Sequence, residues 1–275
     1  MAKKYLHIYF GVQGSGKTLS AVKQLQVEAY NPTRLANCAK RILKYNSMGY
    51  HFSMPEHLAF CDFDCEIHHL GKAPTMSYLT NGFYLGLPNP NMRTQRLPPY
   101  FFAVLDEGNK YFNSRNKQIM PQWRSRFYEL IRHWGGEIII CCQRPGLVDL
   151  NIRELTDYEE FLGCEFVKDL FGNIVLVKIQ RRHFETCADV ERYLSSNILP
   201  VDSKIETDII NCRLPANNIP AYYDSQFFEN LFLQGFSDKD WDLIAARHIC
   251  STVNDVEKFC QVFDYRVPKN LYKDN

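Results

Sequence analysis

Eight residues near the start of the chain, Gly11-Val12-Gln13-Gly14-Ser15-Gly16-Lys17-Thr18, satisfy the pattern G-x-x-x-x-G-K-[ST] at every fixed position. The context is what the pattern requires. Tyr5 to Phe10 is apolar except for His7, as in a buried parallel strand. After the turn, Leu19, Val22, Leu25 and Ala29 recur at helical spacing, and Asn31-Pro32 ends that helix. Glycines let the backbone curl so that successive N–H groups point inward at an anion, and the following helix presents its positive end to the same place. Gly11, Gln13, Gly14, Ser15, Gly16, Lys17, Thr18 and Leu19 are therefore the expected nucleotide-binding residues. Lys17 is expected to reach the β- and γ-phosphates and the Thr18 hydroxyl to ligate magnesium, with ATP as the nucleotide.

A second apolar run, Tyr100 to Leu105, ends in Asp106-Glu107. A buried strand of this kind delivers a carboxylate to the carboxyl edge of a sheet. There Asp106 is placed to hold magnesium, directly or through water. Glu107 beside it is placed to orient or deprotonate an attacking water. The guanine-specifying element Asn-Lys-x-Asp is missing, since the nearest match, Asn116-Lys117-Gln118-Ile119, lacks the Asp. Small-molecule kinases need no water-activating Glu after the magnesium Asp, so a motor-type ATPase fits better.

Strand and helix signals alternate along the first half of the chain. A helix capped by Asn31, with Pro32 in its first turn, is expected to turn Leu35, Ala39, Ile42 and Leu43 inward. Short strand candidates lie at 65–67 and 83–85, a helix at 127–133, and a third buried strand at Glu137 to Cys142 ending at Gln143. Glu165 to Lys168 and Ile174 to Gln180 flank Asp169-Leu170-Phe171-Gly172-Asn173 and read as a β-hairpin. The expected fold is α/β: a P-loop NTPase (RecA-like) parallel-sheet core with a β-hairpin insertion and a small helical C-terminal region. Residues 1–196 form the P-loop ATPase domain in this reading, 197–236 a proline-marked connecting arm, and 237–275 a small helical module.

The chain of 275 residues carries 32 basic and 31 acidic side chains, so its net charge of +1 gives no whole-molecule attraction to nucleic acid or membrane. No apolar run approaches the roughly 18 to 20 residues of a membrane-spanning helix, and no signal peptide precedes the first strand. The expectation is a cytoplasmic protein without a transmembrane segment, its ten cysteines reduced. Cys61, Cys65, His68 and His69 lie within nine residues, but their spacing matches no standard zinc pattern. Cysteine as small apolar filler is the preferred reading.

Downstream, Arg132-His-Trp-Gly-Gly-Glu-Ile-Ile-Ile-Cys-Cys-Gln143-Arg144-Pro145 resembles the FtsK/HerA superfamily of DNA-pumping ATPases. Within it the chain looks most like the zonula occludens toxin (Zot)-like group, which includes the assembly ATPase of filamentous phages. The run Val148 to Leu155 and the hairpin near 164–180 are similar to that group too, and the resemblance covers about residues 4 to 185. It implies that Gln143 senses the γ-phosphate or holds the attacking water. It further implies that Arg132 is an arginine finger entering a neighbouring subunit's site, with Arg124 and Arg126 as rival fingers. Filamentous-phage members have a membrane-spanning helix after the ATPase region, and residues 186–275 contain none. This favours a soluble packaging motor, or one docked on a capsid or membrane-protein partner, in the host cytoplasm, at the inner membrane or on a virion vertex.

Between Lys110 and His133 six basic side chains, among them Arg115, Lys117, Arg124 and Arg126, oppose Glu129 alone. Tyr111, Phe112, Trp123, Phe127 and Tyr128 are interleaved with them. Cations neutralise phosphates and aromatics stack on unpaired bases, so this composition suits DNA, here the viral genome. It suits a subunit interface equally well. The sequence thus points to a hexameric ring-forming, ATP-driven DNA translocase that packages or exports a phage-like genome. A nucleotide or nucleoside kinase, and a nucleotide-binding structural subunit with negligible turnover, are the alternatives.

Overall fold

The structure, a computed structural model, describes residues 5–29, 31–49, 54–55, 58–61, 63, 65–67, 71–72, 84–85, 96–108, 112, 131–201 and 203–213. All of them fall in one compact unit, Met1–Thr75 with Phe83–Tyr223. The expected C-terminal helical module lies outside the described residues.

Among the described residues seven strands form the sheet: β1 (Leu6–Gly11), β2 (Ala59–Cys61), β3 (Phe102–Leu105), β4 (Glu137–Cys142), β5 (Thr156–Lys168), β6 (Ile174–Phe184) and β7 (Ile205–Asn211). Their order across the sheet is β7-β6-β5-β1-β4-β3-β2. β5, β1, β4, β3 and β2 run parallel, and β6 and β7 are antiparallel additions at one edge. Two further pairings are two residues long, Glu66–Ile67 with Gly71–Lys72 and Tyr84–Leu85 with Arg96–Leu97. The result is an α/β fold with a mostly parallel sheet, as expected.

The central strands are apolar on both faces because both faces are covered. On one side α1 (Lys17–Ala29) lays Leu19, Ala21, Val22 and Leu25 against Phe102, Val104, Ile139, Cys141 and Phe161. On the other, Phe10 of β1 meets the rings of Tyr158 and Phe184, and Phe184 meets Tyr193 of α3 (Cys187–Ser196). Cys61 and Cys65 are buried in the α1-side core, which suits apolar filler; His68 and His69 lie outside the described residues.

Three features depart from the sequence reading. The hairpin is a continuation of the core: β5 pairs with β1 from Leu6↔Thr156 to Gly11↔Phe161, then extends beyond it to pair with β6. The span read as a connecting arm supplies β7, held to β6 by ion pairs from Arg181 to Glu206 and Asp208, both at 3.2 Å. In α2 (Pro32–Ser47) Ile42 is buried and Leu35 packs half-buried beside it, as expected, but Arg34 and Cys38 share that face and Leu43 is 67% exposed. The Asn31 cap is present, its side chain accepting from the Thr33 and Arg34 backbone N–H groups.

Arg34 is the charged member of that buried face. Its Nε donates to Glu28 at 2.8 Å and Nη2 to Glu137 at 2.9 Å. Its Nη1 donates to the carbonyls of Tyr100 and Phe101, both at 3.1 Å. One buried guanidinium thus ties the end of α1 to the starts of β3 and β4. Removing one partner from a buried ion network leaves uncompensated charge, so Arg34→Ala is expected to cost about 3–5 kcal/mol in urea unfolding. A loss below about 1 kcal/mol, the range of an exposed pair, would contradict this account of the edge.

Candidate functional site

β1 ends at Gly11, and the chain then turns through Gly14 (φ +75°) and Gly16 (φ +93°) into α1. Gly11 itself has φ +145°, and a Cβ there would lie 2.3 Å from the Phe161 carbonyl oxygen of β5. Glycine is required at this point by both conformation and space. A Cβ on Gly16 would sit 3.1 Å from that of Cys164, also on β5. The loop is therefore moulded against the strand beside it. Gln13 and Gly14 are exposed on its crest, whereas Ser15 is buried. The Leu19 side chain belongs to the α1 core, which leaves its backbone for contact with an anion.

Lys17 is 9% exposed, and its ammonium donates to the Gly11 and Val12 carbonyls at 2.9 and 2.7 Å. Burial pulls its pKa below the ordinary lysine value, and the Asp106 and Glu107 carboxylates only partly offset that pull. The cation lies under the loop with its charge poorly solvated, a setting that rewards an approaching polyanion.

The Thr18 hydroxyl donates to Asp106 Oδ1 at 3.0 Å, joining the first turn of α1 to the end of β3. The same oxygen accepts from the Glu107 backbone N–H at 3.1 Å. Glu107 is exposed and has φ +50°, a left-handed conformation that a non-glycine residue adopts at a cost of roughly 1–3 kcal/mol. Gly108 follows it and packs so tightly that a Cβ would fall 2.1 Å from Ile140 Cγ2. Glu107 thus sits between a carboxylate that caps its N–H and a glycine with no space for a side chain. Its carboxylate is held at the same sheet edge as the glycine loop. Thr18 and Asp106 present a hydroxyl and a carboxylate side by side, hard oxygen donors of the kind magnesium takes.

β4 lies between β1 and β3, with Phe10↔Cys142 and Leu105↔Ile140 in register. Gln143 therefore emerges at the same edge, between the loop and Asp106, and is exposed. The crevice at the carboxyl ends of these strands brings together Lys17, Thr18, Asp106, Glu107 and Gln143.

Arg132 is not among them. It precedes β4, one strand length away, so it sits roughly 20 Å below the crevice at the opposite edge. It is exposed, on a turn built with care. Arg41 of α2 donates to the His133 carbonyl at 2.8 Å and lies over the rings of Tyr100 and Trp134. Trp134 Nε1 donates to the Leu97 carbonyl at 3.0 Å. Arg132 is out of reach of its own chain's crevice, and any part it takes in such a site is in another copy. Arg115, Lys117, Arg124 and Arg126 lie outside the described residues. Phe112 is 2% exposed and offers no face for stacking.

Sequence reasoning overlooked Gly108, although a glycine directly after Asp106-Glu107 was a visible sign of a tight turn. It also overlooked the Arg41–Trp134 support beneath Arg132, which has no local signature because the partners are 93 positions apart in sequence. Gly11→Ala is expected to lower stability by at least about 2 kcal/mol in chemical unfolding, since strain and a backbone clash act together. An unchanged midpoint would refute the close packing of the loop on β5.

Residues 91–163 match the family Zonular occludens toxin (Zot). That stretch contains Asp106, Glu107, Arg132 and Gln143 and begins well after the glycine loop. Among solved structures, the N-terminal domain of zonular occludens toxin from Neisseria meningitidis is similar at 18% identity and TM-score 0.42, covering 81% of this chain and 100% of that one. The genome packaging NTPase B204 from Sulfolobus turreted icosahedral virus 2, in complex with AMP, is similar at 9% identity and TM-score 0.32, covering 75% and 98%. The same protein in complex with AMPPCP gives 10%, 0.32, 75% and 98%. Likenesses this distant assign no function. No curated protein matches the chain.

Proposed function

We propose that this chain, Zot-like over residues 91–163, is an ATPase of phage assembly or genome packaging, hydrolysing ATP at subunit interfaces of a ring to move DNA. The observation that supports it is the 3.0 Å hydrogen bond from Thr18 to Asp106 beside the buried Lys17 ammonium. A glycine loop without such a carboxylate would bind phosphate and do nothing more.

In this reading the loop's backbone N–H groups and Lys17 hold the β- and γ-phosphates, and Lys17 exchanges its loop carbonyls for phosphate oxygens. Magnesium held by Thr18 and Asp106 would neutralise charge on the phosphates. The Glu107 carboxylate takes a proton from the attacking water, and the Gln143 amide orients that water. Arg132 of a neighbouring copy stabilises charge on the transferring phosphoryl group. Its place at the far edge of its own subunit is what such a role in trans demands. The protein works in the cytoplasm, with the viral genome as its cargo, and docks on a capsid or membrane protein.

The test is ATP turnover by the full chain, with and without single- and double-stranded DNA, alongside its native mass. Stimulation by DNA of a higher oligomer is expected, and turnover indifferent to either DNA would overturn the coupling to movement. Glu107→Gln should lower kcat by roughly 10²- to 10⁴-fold with nucleotide affinity preserved. Mixing Arg132→Ala with Lys17→Ala subunits should restore part of the activity that each lacks alone. Co-assembly without restoration would remove Arg132 from the mechanism.

A further inference from the structure

The β5–β6 hairpin ends in two side chains that fold against nothing. Leu170 is 101% and Phe171 90% exposed, adjacent to each other at the tip. Single exposed apolar residues are ordinary on a protein surface, but a neighbouring pair on a fixed turn is not. The turn is fixed. The Asp169 carboxylate accepts from the Phe171 and Asn173 backbone N–H groups at 2.9 Å each and from the Asn173 amide at 3.2 Å. The Gly172 N–H donates to the Asp169 carbonyl at 3.1 Å, and Gly172 supplies the left-handed conformation, with φ +85°. Leu and Phe are thus presented in one geometry before they meet a partner, which reduces the entropy lost on binding.

A partly apolar recess exists elsewhere on the same chain. Between α3 and the segment after β4 lies a cavity of about 340 Å³ lined by Pro145, Gly146, Tyr158, Val190 and Leu194. An ion pair from Arg153 to Glu191 at 2.6 Å borders it. That volume suits a small apolar group with a few polar contacts at its rim. The segments that wall it also leave Leu150 and Leu194 exposed, at 50% and 56%. Glu191, 57% exposed at the mouth, gives Oε1 to Arg153 and leaves Oε2 to meet a cation such as the exposed Lys168 beside the hairpin tip.

The tip cannot occupy the recess of its own subunit. Tyr158, in the recess wall, and Lys168, at the base of the tip, lie on the one continuous strand β5, ten residues apart and so roughly 33 Å apart. We propose that Leu170 and Phe171 of one copy insert into the recess between α3 and the Pro145–Gly146 segment of a second copy. Because giver and receiver are different patches, each copy that donates a tip still has a recess to fill. The contact propagates head to tail, and it closes into a ring where the rotation between copies allows. The proposal shares with the reading above the requirement for assembly, and beyond that requirement the two fail separately. Tip and recess variants change native mass, whereas Arg132→Ala changes turnover at unchanged mass.

The experiment is native mass of the full chain across a concentration series. Leu170→Ser with Phe171→Ser, and separately Leu194→Glu, are each expected to raise the concentration needed for assembly by roughly 30-fold or more, as for buried anchor residues. All three positions are exposed in the single subunit, so the unfolding midpoint should stay that of the unaltered chain. Mixing Phe171→Lys subunits with Leu194→Glu subunits should recover part of the assembly. Variants that assemble like the unaltered chain would overturn the proposal, and so would a chain that is monomeric throughout. If the tip variant keeps its mass but loses binding to anionic lipid vesicles or to single-stranded DNA, the tip meets that partner instead and the proposal is wrong.

Discussion

The site depends on one hydrogen bond between residues 88 positions apart, Thr18 Oγ1 to Asp106 Oδ1 at 3.0 Å. It forms only because β1 and β3, separated by β4 alone, end at the same edge of a parallel sheet. The parallel order has a second consequence. The strand placed between them brings Gln143 into the crevice at its carboxyl end and leaves Arg132 on the far edge at its amino end. A single strand thus separates a group at the crevice from one at the opposite edge, which is the division of labour the proposed mechanism uses.

Two kinds of restraint hold that edge in shape. On the crevice side the restraint is steric: Gly11 lies against the Phe161 carbonyl, Gly16 against Cys164 and Gly108 against Ile140. Each glycine lets backbone approach where a side chain would push it away, and Asp106 Oδ1 caps the Glu107 N–H in its left-handed conformation. On the opposite side the restraint is electrostatic. Arg34 gathers Glu28, Glu137 and two strand carbonyls, while Arg41 holds the turn that carries Arg132. Lys17 serves both the loop and the crevice: its ammonium holds the loop's curl through the Gly11 and Val12 carbonyls, and its burial leaves a poorly solvated cation facing the place where phosphate would sit.

Much of this was legible in the residues. The glycine loop, the apolar runs of β1, β3 and β4 and the Asp106-Glu107 pair carry local signals strong enough to place the crevice before any coordinates. The rest was hidden for physical reasons. In α2 the apolar positions gave Ile42 and Leu35 correctly, but not the burial of Arg34 in place of Leu43, because its partner Glu137 is 103 positions away and leaves no mark in the local pattern. β7 escaped notice because, as an edge strand, it buries only Ile210 and exposes Ile205 and Ile209, so the two-residue alternation of a half-buried strand is absent. The hairpin was visible as a hairpin. That its first strand belongs to the core beside β1 was not, since Thr156 to Glu160 mixes charged and apolar residues that only the neighbouring strands make sense of.

The central claim is that Thr18 and Asp106 act as one unit in holding the metal that accompanies a triphosphate. The measurement that tests it most directly is the titration calorimetry of ATP into the full chain, with magnesium and with chelator, for the unaltered protein, Thr18→Val, Asp106→Asn and the double variant. The account predicts that magnesium tightens binding in the unaltered chain, that each single change removes most of this gain, and that the double change removes little more. An equal magnesium gain in all four proteins would contradict it.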